Sequence, residues 1–156
     1  MANVLNEVWS QLRLAIGATW TDVLPEAFPA GGAIHRRLKA EKRDWATIPL
    51  PYCVIDVQIM RETDFAPITI PTWSVVAYIT YVRADGAGAS EAIDDKLTNA
   101  EIALRAYAFN DGVQFLDTQE MNATQEDEAN QVFLQRNEAV SAGTITALLL
   151  VGKSIL

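Results

Sequence analysis

Between Asn3 and Trp20 the apolar residues Leu5, Val8, Trp9, Leu12, Ile16 and Trp20 return at three- and four-residue steps. Such spacing lines one face of an α-helix, and Asn3 stands where a cap is expected. The period then disappears. Residues 25 to 51 combine prolines with Gly31-Gly32, and all six prolines of the protein lie between Pro25 and Pro71. This predicts a long, irregular, polar connection, with a short helix near residues 34 to 43. Beyond it the period falls to two. Cys53, Ile55, Val57 and Ile59 share one face of a strand, and Tyr52, Val54, Asp56 and Gln58 share the other. Residues 73 to 82, "WSVVAYITYV", are apolar on both faces and predict a strand inside the sheet. The link between the two strands is short and proline-broken, which favours an antiparallel ribbon over a parallel crossover.

A second helical stripe follows a glycine-rich turn: Ile93, Leu97, Ala100, Leu104 and Tyr107. Ser90 is the expected N-cap, and Glu91, Asp94 and Asp95 place negative charge at the positive end of the helix dipole. "NDG" at 110 to 112 ends the helix, and "VQFLDTQEM" reads as a strand. "TQEDEANQ" reads as a solvated loop, "VFLQRNE" as strand or loop, and "TITALLLVG", residues 144 to 152, as a final strand. The order predicts one α+β domain over residues 1–156. Its mainly antiparallel sheet has four or five strands, with two amphipathic helices packed on one side.

Composition adjusts this picture little. The chain has 156 residues, 50% of them hydrophobic, enough for a core without disulfides or metal. A single cysteine, Cys53, gives no sign of an oxidising compartment, and its place in an alternating strand reads as a small buried hydrophobe. The opening "MANVLNEVWSQL" lacks the features of a secretory leader, and no apolar run is long enough to span a bilayer. These features predict a cytoplasmic protein with no membrane partner.

Catalytic chemistry finds few residues to use. The sole histidine, His35, has no neighbouring serine or cysteine for a nucleophilic triad, and zinc ligands are lacking. "VRADGAGASEAI" has the layout of a dinucleotide phosphate loop, yet Glu91 occupies the third glycine position and Asp94 and Asp95 follow. Asp94 and Asp95, adjacent on a helix, point about 100° apart and do not share a proton or metal. The cluster at Glu126, Asp127 and Glu128 lacks a calcium-loop spacing. The expectation is no enzyme, no cofactor and no metal. A pocket near Asp56, Tyr78 and Tyr81 is the place for a small-molecule site if the domain has one.

One segment breaks the charge pattern. In a chain of net charge −8, residues 34 to 45 gather Arg36, Arg37, Lys39, Lys42 and Arg43, five of the twelve cations, against Glu41 and Asp44. The overall negative field opposes wholesale binding of nucleic acid. Trp45 is the lone aromatic available to stack on a base. Three readings stand: a solvated loop, a salt-bridging arm toward another subunit, and a small DNA-binding site over residues 36 to 43. Arg36, Arg37, Lys39, Lys42, Arg43 and Trp45 are the candidate partner-contact residues.

The helix "EVWSQLRLAIGATW", the long loop, the strands "PYCVIDVQI" and "WSVVAYITYV", the helix "EAIDDKLTNAEIALRAYAF" and the closing strand "GTITALLLVG" occur in a telling order. In that order the chain resembles the tail terminator (tail-completion) proteins of long-tailed bacteriophages. The likeness spans nearly the whole chain and contains no invariant signature. It implies a homo-oligomeric ring, usually a hexamer, seated on the last ring of the tail tube protein. Such a ring offers a surface to the neck or connector proteins and, in contractile tails, to the sheath protein. DNA is then only the passing genome, and the protein resides in the virion after assembly in the host cytoplasm. Adjacent neck and head-completion proteins share the architecture, so the resemblance leaves them as the alternative. It carries over no catalytic residue.

Overall fold

A computed structural model describes residues 2–17, 34–38, 42–65, 70–110, 112–119 and 123–152. The first helix, α1, runs Ala2–Gly17, so Asn3 lies within its first turn rather than at a cap. Its stripe behaves as the spacing predicts, with Val8, Leu12, Ala15 and Ile16 buried. Trp20 lies outside the described residues. Where a short helix is expected the chain instead makes a strand, β1 (Ile34–Arg36), followed by a 3₁₀ turn at Trp45–Thr47. A β-branched Ile34 beside an existing strand gains a ladder, which a short polar helix has no means to match. Asp44 holds the 3₁₀ turn, its Oδ1 accepting from Ala46 N at 3.0 Å.

Strands β2 (Tyr52–Phe65) and β3 (Ile70–Ala84) form the expected antiparallel ribbon. Helix α2 spans Ala89–Ala106, and strand β4 spans Val113–Gln119. Gly88, at φ 77°, takes the N-cap position in place of Ser90, which sits one residue inside. Residues 123 to 134 form a third helix, α3 (Ala123–Leu134), where the sequence suggests loop or strand. Strand β5 (Val140–Gly152) closes the chain and starts four residues earlier than expected. The sheet is mixed, in the order β1-β2-β3-β5-β4, with β1 parallel to β2 and all other pairs antiparallel. β3 is central, as its two apolar faces require.

Register defines two unlike faces. Cys53↔Tyr81↔Gly143, Ile55↔Ile79↔Ile145 and Val57↔Ala77↔Ala147 line the first, which α1 and α2 cover. α2 comes so near β5 that a Cβ on Gly143 would stand 2.5 Å from Ile93 Cγ2 and 2.9 Å from Leu97 Cδ1. Gln11 joins the helix layer to the connection after α2: its Nε2 donates to Asn110 O at 2.8 Å, and its Oε1 accepts from Asn110 N at 2.9 Å.

The second face is more polar, and α3 packs there. The helices therefore do not all lie on one side. Thr144 donates its proton to Asn130 Oδ1 at 2.6 Å, so Thr80 is the donor in its 2.8 Å contact with Thr144 Oγ1. This buried chain of three polar side chains helps to dock α3, together with Phe133, which is 2% exposed. Its stripe of Ala129, Asn130 and Phe133 has a polar residue at its centre, and a search for apolar period passes over it.

Candidate functional site

The basic segment becomes a strand with a following turn, and the consequence is geometric. Alternation along β1 sends Arg36 to the helix-covered face and Arg37 to the opposite one. Arg36 donates to Asn6 Oδ1 on α1, and its guanidinium stands 5.8 Å from the centre of the Trp9 ring. Arg37 stands 5.7 Å from the Phe133 ring on α3, and its backbone N–H continues the ladder to Ile55 O at 3.1 Å. Arg43 lies 5.0 Å from the Trp45 ring and contacts His35 Nδ1 at 3.0 Å. Three of the five cations thus rest on aromatic rings of their own chain, an attraction worth about 0.5–1 kcal/mol each at exposed sites. Lys42 is exposed, and Lys39 lies outside the described residues.

Trp45, a candidate contact residue, is 6% exposed. It stacks on Tyr52 with centroids 6.1 Å apart and takes the edge of Phe133 at 5.3 Å. His35 meets both Trp45 and Tyr52 edge-on. The indole is a core element here, with no face left for a base. Arg136, which follows α3, closes this cluster by donating from Nη1 to Trp45 O at 2.7 Å, while Glu138 accepts from the same guanidinium. Burial pushes the Tyr52 phenol up to about 12, against the opposing charge of Arg136. Neither Arg136 nor Phe133 is singled out by sequence, because each meets Trp45 across more than 80 residues of chain.

Next to the cluster, between α3 and the polar sheet face, lies an open cleft of about 370 Å³. Val54, Thr80 and Phe133 form its inner wall, and Arg37, Asp56 and Tyr78 its sides. Asp56 and Tyr78 are directly paired across β2 and β3. Burial raises the Asp56 carboxyl above its ordinary value, and Gln58, donating at 3.2 Å, and Arg37 partly offset this. Two of the three residues named from sequence for a pocket meet here. Tyr81 does not, because it points into the core of the other face, 1% exposed. Cys53 is fully buried there too, and burial raises its thiol well above the usual range. The glycine-rich turn before α2 has Glu91 in the first helical turn.

Among the described residues no group of three His, Cys, Asp or Glu is placed to hold a metal ion, and no helix is long and apolar enough to cross a membrane. No protein-family model and no curated protein sequence matches the chain.

Proposed function

We propose that this chain is a structural subunit of a phage tail terminator, assembling as a ring that ends the tail tube and joins it to the neck or connector. The reading rests on the resemblance in element order, and one observation at the sheet edges supports it most. A ring built from identical subunits needs two different adhesive surfaces on each copy. The sheet has two unlike edges, and each carries an exposed apolar side chain at an irregularity of its ladder. On β2, beyond the three residues paired with β1, the register shifts between Ile59 and Arg61, and the intervening Met60 is 62% exposed. On β4 the shift falls between Phe115 and Asp117, and Leu116 is 44% exposed. Bulges re-aim side chains at sheet edges, and an exposed apolar edge is a template for association.

In this reading the role is assembly by surface complementarity, with no catalytic step. The ring contacts tube, neck and, where the tail contracts, sheath; the genome passes through it. The adjacent neck or head-completion station remains the alternative within the same architecture. The test is negative-stain microscopy and light scattering of purified protein, alone and with tail tubes. Rings that disappear in Met60→Asp and Leu116→Asp, each still folded by circular dichroism, are the expected result. A protein that stays monomeric even on tubes overturns the proposal.

A further inference from the structure

The cleft beneath α3 is lined by neither Met60 nor Leu116, and it has a chemistry of its own. The middle of a sheet face is normally apolar, because buried polar groups are costly without partners. Here the row Asp56–Tyr78–Thr146 crosses three adjacent strands. Thr146 is 4% exposed, and its hydroxyl has no hydrogen-bond partner among the described residues. α3 closes one end of this face through Asn130 and Phe133 and leaves Asp56 and Tyr78 lining an opening.

The charges around the opening select the ligand. Asp56 and Glu128 face it from the sheet and from α3, two carboxylates against the one lining cation, Arg37, whose guanidinium lies over the Phe133 ring. Two carboxylates disfavour phosphate or carboxylate ligands. Hard divalent ions seek more oxygen ligands than two separated acids provide. The ring of Tyr78 suits an aliphatic stem or a flat cation. At about 370 Å³ the cleft lies at the small end of ligand sites, which run from about 300 to 1,000 Å³.

We infer that the cleft between α3 and the sheet binds an alkylguanidinium or alkylammonium group, with Asp56 and Glu128 as its counter-charges and Tyr78 as its wall. The same chemistry is offered by a free amine and by an arginine or lysine side chain of a partner protein. Both sources are tested by amide NMR of the full chain titrated with agmatine, and separately with acetyl-Gly-Arg-Gly-amide. Saturable shifts at Asp56, Tyr78, Thr80 and Ala129 are expected. The affinity should fall at least tenfold in Asp56→Asn and several-fold in Glu128→Gln, both folded by the same spectra. Binding of agmatine identifies a site for free cations; binding of the peptide alone identifies a side-chain receptor, and either supports the inference. It is overturned if neither probe shifts these amides, if Asp56→Asn binds as well as the parent, or if phosphate saturates the same signals. Ring formation is scored on the same variants, so loss of the cleft and loss of assembly are told apart.

Discussion

The Arg136 guanidinium holds the Trp45 carbonyl at 2.7 Å, joining the end of α3 to the 3₁₀ turn that carries the basic segment into β2. The Arg136 side chain is 5% exposed, and the segment 91 residues earlier in the chain depends on it. Replacing Arg136 with Met removes this charged donor and leaves the Trp45 carbonyl with only the 3.4 Å bond from Ile48 N. The expected loss is about 1–3 kcal/mol in urea unfolding. Arg136→Lys should recover only part of it, because one ammonium does not reproduce a planar fork of donors.

Tyr52, in the same cluster, gives a pH test. Its folded value is pushed up to about 12 from an ordinary 10.0. A raised value means that the folded state keeps the proton longer than the unfolded one. The contribution is therefore complete below pH 10 and is lost as pH rises through the folded value. Stability followed by denaturant titration should fall between about pH 10 and 12, and Tyr52→Phe should flatten that part of the profile.

Asp56 obeys the same sign at lower pH. Its carboxyl is raised from 3.8 chiefly by burial. Stability is fully present below the unfolded value and declines as pH rises through the folded one. Asp56→Asn does not titrate, so its melting temperature should gain on the parent as pH increases from 3 to 7. A constant difference across that range would contradict burial as the dominant cause.

Gly143 lies where α2 and the sheet leave no room for a side chain. A methyl group there meets Ile93 Cγ2 at 2.5 Å and Leu97 Cδ1 at 2.9 Å, so those side chains or α2 itself must shift. Gly143→Ala should cost about 1–3 kcal/mol in thermal or urea unfolding. The double variant with Leu97→Ala should recover part of that loss.

α3 is anchored by one apolar ring, Phe133, and a chain of polar atoms, a thinner attachment than the apolar stripes of α1 and α2. Asn130→Leu leaves Thr144 and Thr80 without their acceptor chain. Hydrogen exchange in α3 should accelerate while β3 amides opposite Ile55 and Val57 stay protected.

Sequence reading succeeds where a single period decides the outcome. α1, α2 and the β2–β3 ribbon each bury one apolar stripe or alternate cleanly, and β3 lies central because both its faces are apolar. The misses share a different cause. α3 presents Ala129, Asn130 and Phe133 to the sheet, a stripe interrupted by an amide, and Asn130 finds its partners, Thr144 and through it Thr80, on two other strands. β1 is three residues long, and only its neighbour β2 defines it. The cleft was half legible: Asp56 and Tyr78 stand opposite each other, but the α3 wall was invisible without α3 itself. A count of cations along the chain takes no account of the side on which each emerges, so Arg36 and Arg37 are told apart only by the structure.

That alternation has a consequence for tolerance to change. Arg36 and Arg37 fasten one short segment to two different layers, as a stitch passes through cloth. Substituting either loosens one side. Removing a single residue between Ile34 and Arg37 would turn every side chain over, bringing guanidinium groups toward the wrong rings and Ile34 toward the polar face. The segment should therefore accept exchanges of residue type far more readily than any change in length.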